Sequence, residues 1–355
     1  MSEKQLKWYE EAGEESDVVI SCRVRLARNL KKYPFSVKLP PEQAGRLVEE
    51  VGACAKLLQE QMPVSQEEET EYLFCPFQAL TEMDKQALVE RHVVSPAFAE
   101  KKQATGLILS EDESVGIMIN EEDHIRIQAI SGGMRMAEVW ERANRADDIL
   151  DQALSFAYDR QYGYLTSCPT NVGTGLRASY MMFLPALTSA NRIAQLAEEM
   201  AAYGIVLRGI YGEGTSAIGD IYQVSNQRTL GNSEQEIIEN LNHVVRQVIR
   251  QERRRREFML EKHYDEMEDQ VHRSYGVLKY ATKIPSSDAV TLLGQLKLGV
   301  DSGMIRLKED FPFYQLVIAV QRANIQMQIG RSCGNLQRDK YRAEYIRQNL
   351  PELVR

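Results

Sequence analysis

The sequence predicts an α+β fold, with an antiparallel sheet flanked by helices and then a domain made of helices alone. Apolar segments at 106–109 and 115–119 are joined by a short run of turn residues, which is typical of a hairpin and therefore of antiparallel strands. Helical periodicity alternates with such strands up to about residue 256 and replaces them beyond it. We therefore predict a sheet-containing domain over 1–256 and a helical domain over 257–355.

The elements of the predicted first domain follow from apolar spacing and turn residues. Strands are predicted at 17–28, 106–109, 115–119, 127–130, 205–210 and 222–226. Helices are predicted at 41–58, 82–93, 134–158 and 189–203, and from the capping box Ser233–Glu236 to about Arg256. We expect the run Arg253–Arg256 to end that last helix as a solvated cationic turn rather than to bind nucleic acid.

The predicted second domain contains helices at 257–275, 287–298, 313–329 and 336–349. A net charge of −8 over 355 residues argues against general nucleic-acid binding. The five cysteines are scattered without a CxxC pair, which excludes a disulfide scaffold or a thiolate zinc site and indicates a reducing cytoplasm. No long apolar run predicts a membrane span, and no signal-peptide pattern is present at the N-terminus.

The stretch Cys168–Ser179, which we call the thiol stretch, combines a thiol, two glycines and an arginine within twelve residues. Gly173 and Gly175 allow a backbone to approach a neighbour closely. Arg177 offers a planar fork of donors that suits phosphate oxygens. Cys168 is a thiol that an electropositive setting would favour as a thiolate. Taken alone, the stretch is equally consistent with a structural turn.

Further arginines and carboxylates occur at strand ends. Arg23 and Arg25 alternate along a predicted strand and would share one face, either as a clamp for polyphosphate or as part of a solvated edge strand. The acidic run 121–123 lies between two strands, and one of its carboxylates could hold a cation or act as a base. Surface charge is the alternative.

Together these residues favour phosphoryl transfer from a nucleoside triphosphate. Five arginines lie at strand or loop edges and suit a triphosphate and its transferring group: Arg23, Arg25, Arg126, Arg177 and Arg208. Glu122 and Glu213 would then face the acceptor. A P-loop is rejected because Gly214 and Gly219 are followed by Asp220 instead of Lys-Ser/Thr.

Four motifs resemble those of the phosphagen (guanidino) kinases and occur in that family's order. They are Ser21-x-Arg-Val-Arg25, Asn120-Glu-Glu-Asp-His-x-Arg126, Cys168-Pro-Thr-Asn-x-Gly-Thr-Gly-x-Arg177 and Arg208-Gly-x-x-Gly-Glu213. The resemblance implies the family's catalytic domain and ATP as a substrate, with Mg²⁺ held through the ATP phosphates and not by protein ligands. It assigns the five arginines and His92 to ATP, and Glu122, Glu213 and Cys168 to catalysis.

Departures from the family pattern indicate which members of the family this chain resembles. About twenty residues precede Arg23, so we expect the N-terminal domain that encloses small guanidino substrates to be missing. Gln223 replaces an acidic residue, and Gly214 stands where a histidine is usual. With the added helical domain, the chain is similar to the bacterial protein arginine kinases, which phosphorylate arginine side chains in proteins.

A motif in the last helix supports this similarity. Arg338 and Arg342 lie four residues apart and Asp339 lies three before Arg342, so the three share one side of a helix. Such a pattern alone is usually a solvated face. The resemblance implies instead that Arg338, Asp339 and Arg342 bind phosphoarginine as an allosteric site.

Partners are expected from the resemblance alone. They are protein substrates with exposed arginines, an activator protein, a heat-shock repressor and a Clp unfoldase, in a cytoplasmic stress response, with a homodimer or higher assembly and no nucleic acid or membrane. Three alternatives remain open: a kinase of a small guanidino metabolite, a non-catalytic phosphoarginine-binding adaptor, and a glutamine-synthetase-like ligase. The missing N-terminal domain argues against the first, the retained glutamates against the second, and the lack of matching motifs against the third.

Overall fold

The computed structural model describes residues 6–62, 71–210 and 217–354. Eight of its strands form one sheet in the order β2-β3-β4-β5-β1-β8-β10-β9, and β6 and β7 form a separate hairpin. The strands are β1 (Val19–Arg28), β2 (Tyr72–Pro76), β3 (Gly106–Ser110), β4 (Val115–Ile119), β5 (Ile125–Gly132), β6 (Tyr158–Asp159), β7 (Gly163–Tyr164), β8 (Leu176–Phe183), β9 (Ile205–Gly209) and β10 (Ile221–Asn226). The pairs from β2 through β1 are antiparallel, which confirms the predicted sheet type.

Helices flank the sheet and then make up the C-terminal part of the described chain. They are α1 (Pro41–Ala53), α2 (Ala55–Gln61), α3 (Glu82–Glu90), α4 (Pro96–Ala99), α5 (Met136–Leu154), α6 (Pro185–Ser189), α7 (Ile193–Ala201), α8 (Glu234–Lys262), α9 (Tyr264–Tyr280), α10 (Ser286–Asp301), α11 (Phe313–Ala319), α12 (Arg322–Ile329) and α13 (Asn335–Asn349). The predicted α+β class with a helical C-terminal region is therefore confirmed.

The chain divides into two compact units. The first contains the described residues of 1–14, 21–180 and 225–243, and the second those of 15–20, 181–224 and 244–355. In the first unit the predicted hairpin is present, with Ile108 opposite Ile117. All five residues of β4 are buried, because helices cover this part of the sheet. Helices α3 and α4 pack on the sheet around one apolar cluster, which includes Phe77, Phe98 and Met118.

Helix α8 is longer than the sequence analysis predicted. The Ser233–Glu236 capping box is present, with Ser233 N donating to Glu236 Oε2 at 2.8 Å. The helix then continues to Lys262, so the prediction that Arg253–Arg256 ends it was wrong. Two arginines of this run pair with carboxylates: Arg253 pairs with Asp17, and Arg256 is buried with its Nε 2.8 Å from Glu252 Oε1. The helix continues because these charges are neutralised on its inner face.

The C-terminal helices of the second unit pack through small residues and aliphatic side chains. A Cβ added at Gly299 of α10 would lie 2.2 Å from Val271 of α9, so glycine permits the close approach of these two helices. The single helix predicted over 313–329 is two helices, α11 and α12, which meet at Val320 and Gln321. No helix in the described part of the chain is long and apolar enough to cross a membrane.

Candidate active site

Three of the predicted ATP-binding arginines lie on one face of the first unit's sheet. In the β1–β5 pairing, Arg23 is opposite Ile130, Arg25 opposite Gln128 and Ala27 opposite Arg126. Directly opposed residues of antiparallel strands share a face, so the side chains of Arg23, Arg25 and Arg126 leave the sheet together. Arg177 is the second residue of β8 and contributes to the same positive field, since it acts on the charge of Arg25. We call these four residues the arginine cluster.

Burial and mutual repulsion make the arginine cluster a receptor for negative charge. Burial, with repulsion from Arg23, Arg126 and Arg177, lowers the pKa of Arg25 well below its ordinary value. The Nε of Arg25 is also buried and has no hydrogen-bond acceptor within the described residues. An unsatisfied buried donor costs about 1–3 kcal/mol, so an anion bound here would relieve both the repulsion and the missing hydrogen bond.

Glu121 supplies the buried countercharge of the arginine cluster. Its Oε1 lies 2.7 Å from Arg126 Nη1 and accepts from the Ser95 hydroxyl at 2.7 Å, while its Oε2 accepts from the Glu122 amide at 2.7 Å. Burial alone would raise the pKa of Glu121, but Arg126, these two hydrogen bonds and Arg25 together hold it below its ordinary value. Glu121 therefore stays ionised and orients Arg126.

The neighbours of Glu121 in the acidic run have different surroundings. The side chain of Glu122 is 44% exposed, with its Oε2 3.8 Å from Arg126 Nη2, so it is available to a bound molecule. His124 is buried: its Nδ1 accepts from Leu30 N at 3.0 Å, and its Nε2 reaches Pro34 O at 2.9 Å. Burial lowers the pKa of His124 and outweighs the Pro34 hydrogen bond, so this imidazole is neutral and structural.

Asp123 joins the acidic run to the thiol stretch. One of its oxygens, Oδ1, accepts from Asn29 Nδ2 at 2.6 Å and from the Ser167 amide at 2.5 Å. Asp123 follows Glu122 and Ser167 precedes Cys168, so this one carboxylate holds the two predicted catalytic residues on adjoining segments. Cys168 itself is partly exposed, and its Sγ lies 3.1 Å from Thr170 Oγ1.

The two glycines of the thiol stretch contact the protein's own backbone. Gly173 has φ of 111°, and an added Cβ would lie 2.3 Å from Thr229 O. Gly175 has φ of 65°, and its Cβ would lie 2.7 Å from Ala27 O and 2.6 Å from Arg28 Nη1. Both positions combine a left-handed backbone with a close approach that only glycine tolerates. They fix the start of β8, and hence Arg177, against β1.

His92 borders the arginine cluster. Burial, with repulsion from Arg23, lowers the pKa of His92 to about 3, so the ring is neutral at pH 7. Its carbonyl accepts from Gln128 Nε2 at 2.7 Å, and Gln128 lies directly opposite Arg25. His92 also has φ of 60°, an uncommon conformation for a residue with a side chain. The structure thus places His92 beside the arginine cluster, and its assignment to ATP stays a prediction.

Arg28, three residues after Arg25, has a structural role. It is 1% exposed, donates to Asp147 Oδ2 through Nε at 3.1 Å and Nη2 at 2.8 Å, and lies 3.4 Å from the centroid of the Tyr164 ring. A buried and fully engaged guanidinium of this kind holds β1 to α5 and is closed to ligands.

Two further predicted site residues are not part of the arginine cluster. Glu213 is outside the described residues. Arg208 belongs to the second unit, where it is an exposed residue of β9. Their assignments stay predictions.

The predicted phosphoarginine motif lies on α13 of the second unit. Arg342 is 2% exposed and donates to Val320 O and Ile284 O at 2.8 Å and to Asp339 Oδ1 at 2.6 Å. Arg338 and Asp339 are half-buried, and Arg338 Nη1 donates to Cys333 O at 2.5 Å. Arg342 therefore links three segments of the helical region, while Arg338 and Asp339 remain accessible.

Sequence reasoning missed Glu121, Ser95 and Gln128, which support the site from beneath. Glu121 stands within the acidic run, but only the fold distinguishes the buried carboxylate from its exposed neighbour Glu122. Ser95 caps α4 and Gln128 lies mid-strand, so neither carried a signal that pointed to a site.

The fold agrees with comparisons to known proteins. Residues 53–255 match the model of the ATP:guanido phosphotransferase C-terminal catalytic domain. Among solved structures, a duplicated taurocyamine kinase from Schistosoma mansoni with bound transition-state-analog components is 28% identical, with a TM-score of 0.56 over 65% of this chain and 32% of that chain. A lombricine kinase has the same fold, with a TM-score of 0.59, 23% identity, and coverage of 69% and 68%. The chain belongs to the ATP:guanido phosphotransferase family.

Its similarity to one branch of that family extends over nearly the whole length. Residues 264–355 match the model of the protein-arginine kinase McsB C-terminal domain. Proteins named protein-arginine kinase from Caldanaerobacter subterraneus subsp. tengcongensis and Brevibacillus brevis are each 41% identical, over 95% and 99% of this chain and 98% of each relative. Another from Desulforamulus reducens is 42% identical over 98% of this chain and 96% of the relative. Within the family, the chain is therefore a member of the protein-arginine kinases.

Proposed function

We propose that this protein transfers the γ-phosphoryl group of ATP to the guanidinium group of arginine side chains in proteins. The observation that carries the proposal is a repelling arginine cluster, with an unsatisfied buried donor on Arg25, beside the exposed carboxylate of Glu122. The cluster is complementary to a triphosphate, and the carboxylate to a cationic acceptor. Full-length similarity to proteins named protein-arginine kinases supports the choice of acceptor.

In this proposal the arginine cluster, with Arg208 and His92, binds the nucleotide. Hydrogen bonds from the guanidinium groups orient the γ-phosphoryl group and neutralise charge that develops as it leaves ADP. Neutral His92 adds an imidazole without further positive charge. Within the described residues, no group of three or more His, Cys, Asp or Glu side chains is arranged to hold a metal ion. We propose that Mg²⁺ is held through the ATP phosphates, where it would neutralise phosphate charge.

Glu122 is proposed to position the substrate guanidinium and accept its proton. An arginine side chain is protonated at pH 7, so its nitrogen attacks only as a proton is removed. The new N–P bond forms as the bond from the γ-phosphorus to the bridging oxygen breaks, the proton passes to the carboxylate, and ADP leaves. Glu213 is proposed as the second carboxylate on the guanidinium. Cys168, held beside Glu122 through Asp123, is proposed to add negative charge near the acceptor.

The direct test is intact-mass spectrometry at neutral pH after mixing the protein with Mg-ATP and an unfolded, arginine-rich protein. Acid-labile phosphoryl adducts that map to arginine are expected. Transfer to free arginine or another small guanidino compound, without adducts on protein, would support a metabolite kinase. Absence of transfer to any acceptor would support the alternative of a non-catalytic phosphoarginine-binding adaptor.

Replacing Glu122 by Gln tests the role of the carboxylate. We expect the rate of arginine phosphorylation to fall by about 10²- to 10⁴-fold, the usual contribution of a general base. ATP affinity should change by less than about fivefold, because Glu122 is 44% exposed and lies 3.8 Å from Arg126, so this pair is weak. Glu141→Gln, an exposed substitution on α5, is the matched control and should leave both quantities unchanged. A large loss of ATP affinity in Glu122→Gln would contradict the assigned role.

We further propose that Arg338, Asp339 and Arg342 bind phosphoarginine and regulate activity. Arg338 would face the phosphoryl group and Asp339 its guanidinium, while Arg342 is largely committed to the fold. Asp339→Asn preserves an acceptor for Arg342 and removes the charge, so activation or inhibition by free phosphoarginine should be lost. Glu344→Gln, exposed on the same helix, should retain the response. An unchanged response in Asp339→Asn would refute the proposal.

The cellular setting is proposed from family resemblance. We propose that the protein acts in the cytoplasm on damaged proteins and on a heat-shock repressor, with an activator protein and a Clp unfoldase as partners, and that it forms a homodimer or a larger assembly. The five unpaired cysteines agree with a reducing compartment. Co-purification of the unfoldase with arginine-phosphorylated protein, but not with the unmodified protein, would support the degradation role.

A further inference from the structure

A basic cavity lies in the second unit, on residues that the sequence analysis did not assign to a ligand. Its wall on α8 consists of Gln251, Arg254, Arg255 and Phe258. These positions are spaced i, i+3, i+4 and i+7 and therefore share one helix face. The facing wall, from the end of α6 to the start of α7, consists of Leu187, Ala190 and Arg192. The open cavity between the walls has a volume of about 500 Å³.

The positive charge of this cavity is not neutralised by the protein. None of its lining residues is a carboxylate, and within the described residues Arg192, Arg254 and Arg255 form no ion pair. The Nε of Arg255 is buried without an acceptor. Arg253 and Arg256, in the same run, are by contrast bonded to carboxylates. Three unpaired guanidinium groups around one opening are unexpected in a chain of net charge −8.

The walls of the cavity are held in place before any ligand binds. The amides of Ala186 and Leu187, at the start of α6, both donate to Glu252 of α8 at 3.0 Å. Glu252 is fully buried and also accepts from Arg256 Nε, so both of its oxygens are engaged within the protein. Both oxygens of Glu252 are therefore occupied by these bonds, and in the part of the chain that the structure describes its carboxylate forms no ion pair with Arg254 or Arg255.

An apolar surface accompanies the charge. Leu187 is buried beneath the opening, and Phe258 is 42% exposed with the guanidinium of Arg255 4.7 Å from its ring centroid. A compact inorganic anion would leave this apolar surface unused, and a cationic side chain would be repelled by the arginines. We propose that the cavity binds a phosphate monoester dianion attached to an apolar or aromatic group, with the arginines on the phosphate and Phe258 against the attached group.

The proposal is tested by isothermal titration of the full chain with phenyl phosphate in saturating Mg-ADP, which occupies the proposed nucleotide site. Saturable binding at one site is expected. Arg254→Gln combined with Arg255→Gln should weaken it at least about tenfold, and Arg192→Gln, on a different element, should weaken it as well. Arg250→Gln is the matched control, because Arg250 is exposed on α8 but does not line the cavity.

Titration with inorganic phosphate distinguishes the contribution of the arginines from that of Phe258. Inorganic phosphate should bind more weakly than phenyl phosphate to the wild type, and Phe258→Ala should remove that difference. The proposal is overturned if the wild type shows no saturable binding, if Arg250→Gln weakens binding as much as the cavity substitutions, or if neither cavity variant weakens it. Equal binding of phenyl phosphate and inorganic phosphate to the wild type would overturn the assignment of an organic phosphate.

Discussion

Glu121→Gln should destabilise the first unit while leaving ATP binding intact or stronger. The substitution keeps the size of the side chain but removes the charge that meets Arg126 at 2.7 Å. Glu121 and Arg126 are 6% and 18% exposed, so solvent screens the pair poorly. Removing one partner of a buried pair costs about 3–5 kcal/mol. We expect a loss at the lower end, about 3 kcal/mol, because the amide oxygen still accepts one hydrogen bond.

The measurement is urea unfolding followed by tryptophan fluorescence. Both tryptophans, Trp8 and Trp140, belong to the first unit, so the signal reports on the unit that carries the substitution. Glu122→Gln is the matched control: it is the same chemical change one residue away, but at a side chain that is 44% exposed, and it should cost less than about 1 kcal/mol. Equal unfolding midpoints for the two variants would refute the assignment of Glu121 as the buried countercharge.

Unfolding measurements with added ATP and at different pH values distinguish the electrostatic role of Glu121 from an effect on packing. Glu121→Gln makes the arginine cluster more positive, so saturating ATP should narrow the stability difference from wild type as the phosphates replace the lost charge. A depressed carboxyl pKa contributes stability above the ordinary value of 4.5, and that stability is lost as pH falls through the lowered value. The difference between variant and wild type should therefore shrink in acid. ATP binding weakened more than tenfold would also count against the reasoning.

Two further predictions concern the fold around the site. Gly175→Ala should cost about 2 kcal/mol or more in urea unfolding, since the new Cβ would lie 2.7 Å from Ala27 O on a backbone of φ 65°; a loss below about 0.5 kcal/mol would contradict it. Burial, with repulsion from Glu252, raises the pKa of Asp220 to about 6. Its folded form binds a proton more readily than its unfolded form, so stability falls as pH rises from about 4 to 6. Asp220→Asn should therefore stabilise the protein by about 1–3 kcal/mol at pH 8 and by much less at pH 4, measured by thermal unfolding at both pH values; equal shifts would exclude this role.

Six of the ten described strands, and the shared face of Arg23 and Arg25, were predictable because each has a local signal, whereas β2, β6, β7 and β8 were not predicted. Paired apolar segments with intervening turns define the β3–β4 hairpin, and alternation along β1 places Arg23 and Arg25 on one face. These signals depend only on residues close in sequence. Helix ends were less predictable. Arg253–Arg256 read as a solvated helix terminus, whereas Asp17, far away in the chain, neutralises the inner side of the run and lets α8 continue.

The roles within the acidic run depended on tertiary contacts that local sequence does not encode. Glu121 and Glu122 are chemically identical neighbours, and only the positions of Ser95 and Arg126 make the first a buried counterion. Gly173 and Gly175 were read correctly as sites of close approach, but the approaching group is the protein's own backbone. The residue type thus indicates that a close approach occurs at a position, whereas the tertiary structure determines which group approaches it.

The Asp123–Ser167 hydrogen bond couples the position of the thiol stretch to that of the acidic run. Any motion that carries Cys168 away from the segment bearing Glu122 must first break the 2.5 Å contact from the Ser167 amide. Exchange of that amide hydrogen with solvent deuterium requires the same opening. The exchange rate of the Ser167 amide therefore reports how often the two proposed catalytic segments separate.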